Sequence, residues 1–433
     1  MNRLSAAWQH RPGRAGASTT AVDALWLLAL MLYVLGGMTL VPFHGDESTL
    51  IMMSRDYHYQ FIARDLSLVT YHAPPLDATE QHLRLLNGTV PKYLIGFGWH
   101  LSGFTVDDLN EQWLWGAGWD WNVENGHMPS DGLLRAARLP NALLTALSVP
   151  LLFLLARMWG GHWVAYPASL LFATHPAILL HGRRAYMEAP LLFFGLLTVL
   201  LAASWGRWLL RHPDYRRWPG IAWPGGAFGG VMAVAGLAVA SKHSGAVIAA
   251  AAWLAGLGTG GLWLFVSEKV AGLWRAALLL IGNVVLSVVL TWMVFYVLNP
   301  AWWSTLGVTW WPDSVERAGE VLALRADLLN GQVSAFPEAV YPNFGARLVG
   351  LVGQLSVQPT AYYEVPAWAD YIADSIATYQ ASPWTGIQYG TNGLTTLLGL
   401  SLLGLTGIGI VRLVLALRRG DALAITLAMW GGL

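Results

Sequence analysis

The stretch Ala24–Ser48 reads ALWLLALMLYVLGGMTLVPFHGDES. Its first part, Ala24 to Val41, is an uncharged apolar run close to the roughly 20 residues that cross a bilayer as a helix. In lipid every backbone group must be paired within its own segment, so such a run is predicted to be helical. Its second part, Phe43-His44-Gly45-Asp46-Glu47-Ser48, places two adjacent carboxylates just outside that helix. Ionisable groups at a membrane boundary tend to face a site. Two carboxylates there can deprotonate an acceptor hydroxyl or hold a metal.

The rest of the chain supports a membrane-embedded protein. Its composition is 55% hydrophobic and 12% charged, with a mean hydropathy of +0.47. A soluble domain carries about 25% charged residues. The formal net charge is zero, so bulk electrostatics predict no nucleic-acid partner. No cysteine is present, which excludes disulfides, thiolate catalysis and Cys-ligated metals. The first apolar run is long enough to span, and no small-residue cleavage site follows it, so no cleavable signal peptide is expected.

Apolar runs near spanning length fall at 24–42, 139–156, 163–181, 189–205, 221–240, 245–265, 276–298 and 393–413. A ninth begins near Ala422 and the chain stops inside it, so Leu433 is not expected to end the fold. These runs predict an all-α polytopic membrane protein, a single transmembrane domain over 1–433. Arginine and lysine bias toward the cytoplasm sets the orientation. Arg3, Arg11 and Arg14 put the N-terminus inside. Alternation then places Arg157, Arg207, Arg211, Arg216, Arg217, Lys269, Arg275, Arg418 and Arg419 on the same side. Two long loops, 43–138 and 299–391, are thus predicted to be extracytoplasmic. They carry amphipathic patterns at Asp46 to Leu68 and Asp313 to Leu329, suited to the membrane interface, and an apolar stretch, Lys92 to Leu101, too short to span.

Several charges defy the orientation bias. Arg138 precedes the second run. Arg183, Arg184 and Glu188 lie in the turn His181–Pro190. Lys242 and His243 lie in the turn Ala240–Gly245. With Asp46 and Glu47 they form acids and bases at one predicted membrane depth. Lys and Arg donors there suit a phosphate arriving from the outer leaflet, and Arg can bind it in bidentate fashion.

At these residues the chain resembles the lipid-linked-sugar transferases of glycosyltransferase family 39. These are the protein O-mannosyltransferase and aminoarabinose transferase types, which have the GT-C fold. The resemblance rests on Asp46-Glu47, Arg138-Leu139-Pro140, Gly182-Arg183 through Glu188-Ala189-Pro190, Ser241-Lys242, and Asn299-Pro300-Ala301-Trp302-Trp303. It implies a GT-C-like helical bundle whose two long outer loops carry short amphipathic helices. It also implies a polyprenyl-phosphate donor, inversion at the anomeric carbon, Asp46 as general base and Glu47 as its neighbour. Lys242, Arg183 and Arg138 are then the phosphate donors, with Arg55 and Lys92 of the first loop as further candidates. Glu188 and His243 are other candidate site residues. Thr49 stands where the aminoarabinose type closely follows the acidic pair with an Arg, and Arg55 is the candidate substitute.

The expected function is a membrane glycosyltransferase. It moves mannose or another hexose or pentose to an extracytoplasmic protein hydroxyl, lipid or glycan, in a bacterial inner membrane. A divalent magnesium, manganese or zinc ion is an open possibility, with His44 and Asp46 as the ligand pair. The competing readings are a transporter or channel, and a non-catalytic accessory subunit. Single residues have plainer readings too. Asp46 can cap the helix that follows it. Glu188 can pair with Arg184 to tie a turn. Lys242 can snorkel from a helix end. Most of the tryptophans Trp99, Trp113, Trp115, Trp119, Trp121, Trp302, Trp303, Trp310 and Trp311 are expected to form an interfacial belt.

Overall fold

The computed structural model describes residues 17–212, 223–266, 273–304, 310–335, 341–363 and 366–432. Among them the regular structure is helical, and β pairing is confined to one isolated bridge between Tyr71 and Ser304. The principal helices are α1 (Ala17–Gly36), α2 (Gly45–Met53), α3 (Ala78–Leu86), α4 (Thr89–Leu101), α5 (Asp131–Gly160), α6 (His162–Ala173), α7 (Pro176–Arg183), α8 (Glu188–Arg211), α9 (Trp223–Ser241), α10 (Gly245–Val266), α11 (Leu273–Leu298), α12 (Trp310–Ala335), α13 (Phe344–Ser356), α14 (Ala373–Ala381), α15 (Gly393–Leu417) and α16 (Ala422–Gly432). Six described segments are long and apolar enough to cross a membrane, lying in α1, α5, α8, α10, α11 and α15.

Three predicted runs depart from simple spans. The run 163–181 is broken: α6 and α7 meet at a bend of 57°. The cause is local. Pro176 has no N–H to continue the ladder, and it pushes His175 out of the helical region to φ −73°, ψ 121°. The run 221–240 gives a shorter apolar helix, Gly225–Ser241. The last run gives the 11 described residues of α16.

The bundle centres on α5, which packs against α1, α6, α7 and α8, while α9 packs against α8 and α11. Leu30, Val34, Val149, Phe172, Leu179 and Leu196 fill the first interface. Trp205, Phe228, Met232, Trp263 and Val284 fill the second. In contrast α15 exposes Leu394, Leu397, Leu405, Ile408, Ile410 and Val411. An apolar surface that continuous is unusual on a water-facing helix and normal on a lipid-facing one.

The loops differ in detail from their sequence pattern. The first loop ends at Ser130, because α5 begins at Asp131 and runs straight into the second span. Arg138 is therefore two turns inside a continuous helix rather than at a loop end. Asp46 to Leu68 is not one helix. α2 stops at Met53, and Arg64 takes a left-handed conformation at φ 57° that ends the following π turn. In the second loop, α12 runs longer than its pattern. Its apolar stripe faces outward, with Val315, Leu322 and Leu329 exposed, while Val321 packs inward. The tryptophans also depart from a belt. Trp99, Trp113, Trp119 and Trp302 are buried in packed clusters. Trp115 and Trp121 are exposed, and the side chains of Trp310 and Trp311 lie outside the described residues.

Candidate active site

Both acids of the pair sit in the first turn of α2, and the helix separates them. Consecutive residues point about 100° apart around a helix. Glu47 turns inward and is fully buried, whereas the Asp46 side chain is 55% exposed. His44 is the N-cap. Its Nδ1 accepts the Asp46 backbone N–H at 3.1 Å, and Glu47 Oε2 accepts the His44 backbone N–H at 3.2 Å. The plainer reading, Asp46 as the cap, is corrected: His44 is the cap and the Glu47 carboxylate closes the capping box, leaving Asp46 inside the first turn.

Glu47 also binds Arg138 in bidentate form. Arg138 Nε donates to Oε1 at 2.7 Å and Nη2 to Oε2 at 2.6 Å. The Ala185 N–H donates to Oε1 at 2.9 Å. Burial pushes the Glu47 carboxyl up, but Arg138, Arg184 and the Ala185 N–H together hold it below its usual value. Arg138 spends its remaining donor, Nη1, on the Val41 carbonyl at 2.7 Å and the Met38 carbonyl at 3.4 Å. One ion pair therefore ties α5 to the end of the first span, to α2 and to the 184–186 turn.

The same face of α5 continues the job. Asn141 Nδ2 donates to the carbonyls of Arg184 and Tyr186 at 2.8 and 2.7 Å. Thr145 donates to the Gly182 carbonyl at 2.8 Å. Arg138, Asn141, Thr145 and Ser148 recur three or four residues apart, so they form one polar stripe on an otherwise apolar helix. That spacing is the signal the sequence carries for Asn141 and Thr145, two site residues without a motif of their own.

The expected phosphate donors are placed differently from one another. Arg138 is committed to Glu47. Arg183 is fully buried, and its guanidinium donates to the carbonyls of Val34, Tyr33 and Trp384 at 2.6, 2.8 and 2.6 Å and to the Tyr379 hydroxyl at 3.0 Å. A Cβ on Gly37 would come within 2.6 Å of Arg183 Nη1, so a glycine is required for this approach. These bonds make Arg183 a clamp between the first span and the second loop. Arg55 pairs with Glu80 at 3.0 Å, and Lys92 is buried against Asp56 at 2.8 Å. Both belong to a network of ion pairs inside the first loop.

Lys242 is the expected donor that stays accessible. Its side chain is 32% exposed and pairs with Glu188 at 2.7 Å, so Glu188 finds its partner across the chain rather than in Arg184. The Lys242 turn meets the first loop at Gly88, where a Cβ would lie 2.0 Å from the Ser241 carbonyl oxygen. Beside it, Thr89 bonds Asn299, which joins the Asn299–Trp303 motif to the same place. His243 packs near Phe295 and Trp302, and neither of its ring nitrogens has a hydrogen-bond partner among the described residues. Burial, with Arg325 and Lys92 nearby, lowers its pKa to about 4, so it is neutral at pH 7.

Arg184 lies on the Glu47 side of the site, close enough to lower the carboxyl pKa of Glu47. It donates to the carbonyls of Pro42 and Tyr362 and sits 5.5 Å from the Tyr186 ring centroid. Aromatic side chains wall the Asp46 side. Tyr363 stacks on His44 at 4.3 Å, and Trp115 lies 5.5 Å from His44. Trp115 in turn meets Trp368 at 5.5 Å. Tyr363 and Trp368 come from the second loop, a contribution without a motif in the sequence. Among the described residues no group of three His, Asp or Glu side chains is placed to hold a metal; His44 and Asp46 approach to 3.9 Å as a pair. The arrangement offers an accessible carboxylate, an accessible ammonium and a rigid buried frame joining them.

Comparison with known proteins places half of the chain in a family. The family model for dolichyl-phosphate-mannose-protein mannosyltransferase matches residues 88–304, half of the chain. The matched range contains Arg138, Arg184, Glu188, Lys242 and Asn299, while Asp46 and Glu47 precede it. Among solved structures, the chain is similar to the S. cerevisiae protein O-mannosyltransferase Pmt1-Pmt2 complex bound to the sugar donor. The identity is 18% and the TM-score 0.41, over 64% of this chain and 34% of that one. The chain thus aligns with about a third of that protein's length. No curated protein sequence matches the chain.

Proposed function

The chain belongs to the dolichyl-phosphate-mannose-protein mannosyltransferase family, and from that premise we propose that it transfers mannose from a polyprenyl-phosphate donor to a protein hydroxyl, with Asp46 as general base. The observation that carries the assignment is the split of the acidic pair. Glu47 is buried and has four hydrogen-bond donors on its two oxygens, whereas Asp46 is more than half exposed. Only Asp46 can meet an incoming hydroxyl without breaking the frame.

In this reading the acceptor O–H gives its proton to Asp46 as its oxygen attacks the anomeric carbon. The bond from that carbon to the phosphate oxygen breaks on the opposite face, so the configuration inverts and no covalent sugar–enzyme intermediate is needed. The departing phosphate gains negative charge, and Lys242 supplies an ammonium to it. Glu188 holds that ammonium in place until the phosphate arrives. Arg184, near Glu47, adds positive potential on the Asp46 side. The arginine and lysine bias supports a cytoplasmic N-terminus, with this end of the bundle outside a bacterial inner membrane.

The test is transfer from a radiolabelled polyprenyl-phosphate mannose by purified Asp46→Asn protein. General base catalysis is worth about 10² to 10⁴ in rate. Turnover is expected to fall by that factor with donor binding retained. Turnover near wild type would remove Asp46 from the role.

A further inference from the structure

The residue that caps α2 is an unusual choice. N-caps are most often Ser, Thr, Asp or Asn, whose side-chain oxygen accepts a backbone N–H. Here the cap is His44, 2% exposed. Its Nδ1 accepts the Asp46 N–H, so in the neutral ring the proton resides on Nε2. The same Nδ1 lies 3.9 Å from Asp46 Oδ2. The Nδ1 lone pair is taken up by that N–H, so at this distance the neutral cap has no proton on Nδ1 to give the carboxylate.

The ring is held from several sides. Tyr363 stacks on it with planes 19° apart, and Tyr186 meets it edge-on at 5.5 Å. The Tyr363 hydroxyl also accepts the Gly45 backbone N–H at 3.2 Å. One side chain of the second loop therefore fixes both the cap and the first backbone donor of α2.

We propose that His44, locked by Tyr363, is a positioning residue for Asp46 and keeps its carboxylate turned to the open side of the site. This rests on the reading of Asp46 as the base. An Asn at position 44 shows why the imidazole matters. Its carbonyl oxygen would accept the same N–H and cap the helix equally well. Its amide N–H₂ would then stand beside Asp46 and draw the carboxylate inward by donating to it. Capping and positioning are thus separable in one substitution.

The experiment measures kcat, donor KM and Tm for the whole protein carrying Asp46→Asn, His44→Asn, Tyr363→Phe or Tyr363→Ala. His44→Asn is expected to keep Tm and to keep donor KM within about twofold while kcat falls about 10- to 100-fold, the scale of a small misplacement of a catalytic group. Tyr363→Phe, which keeps the stacking ring, is expected to hold a higher kcat than Tyr363→Ala. A wild-type kcat in His44→Asn, with Asp46→Asn inactive, overturns the positioning role and leaves the base assignment standing. Full activity in Asp46→Asn overturns both. If His44→Asn fails to fold, the tyrosine pair decides: equal kcat in Tyr363→Phe and Tyr363→Ala overturns the proposal.

Discussion

Glu47 and Asp56 are two buried acids of the first loop, and each is clamped by cations. Their partners differ. Glu47 is held by Arg138 and the Ala185 N–H, which lie far along the chain in the membrane bundle. Asp56 is held by Arg84 at 2.9 Å and Lys92 at 2.8 Å, both within the same loop. Arg84 passes the network to Glu80, and Glu80 to Arg55. The first knot joins the loop to the spans and carries the site. The second holds the loop to itself. A buried ion pair is weak evidence for net stability, because desolvation offsets the attraction, yet removing one partner is costly. Both acids are therefore read as structure, and the exposed Asp46 next to Glu47 as chemistry.

That contrast can be broken by mutation. Glu47→Gln leaves Arg138 buried without its counter-charge and is expected to cost about 3–5 kcal/mol. It should appear as a large drop in Tm and loss of monodisperse protein on size exclusion. Asp56→Asn is expected at the low end, about 3 kcal/mol, since Arg84 keeps Glu80. The folded fraction of that variant should turn over at a near wild-type rate, measured per active molecule. A dead but stable Asp56→Asn protein would erase the distinction between the knots.

Acid sharpens the same comparison. Burial raises the Asp56 carboxyl, but Lys92 and Arg84 bring it below its usual value, as Arg138 does for Glu47. A carboxylate with a lowered folded pKa stabilises the protein fully above its unfolded pKa of about 4. That stability is lost as pH falls through the folded value. Tm is thus expected to be flat above about pH 5 and to fall below about pH 4. Asp56→Asn should flatten part of the acid slope.

The smallest stability effect is expected at Lys242. Its pair with Glu188 is about one-third exposed on both sides, so Lys242→Ala should cost under about 1 kcal/mol. Its effect on donor affinity should be larger, about tenfold or more, because a hydrogen bond to a charged group is lost. A donor titration that matches wild type would move the phosphate contact to another cation.

Much of the architecture was legible in hydropathy, because spanning helices must be long, apolar and internally bonded. The break at His175 was legible only as Pro176 within a run. The site was legible as motifs but not as roles. Asp46 and Glu47 are adjacent, and so are Arg183 and Arg184, yet each pair divides between different partners in the fold. Sequence order does not say which member faces inward; the helix start at His44 and the contacts of α5 decide it. Tyr363 was hidden for a different reason. It comes from the second loop and reaches His44 only through long-range folding, with no local pattern to mark it.

The most direct measurement pairs Tm with single-turnover transfer in Asp46→Asn and Glu47→Gln. The account predicts that Asp46→Asn melts like wild type and loses transfer, while Glu47→Gln loses its fold. A stable Glu47→Gln protein without transfer, beside an active Asp46→Asn protein, would contradict it.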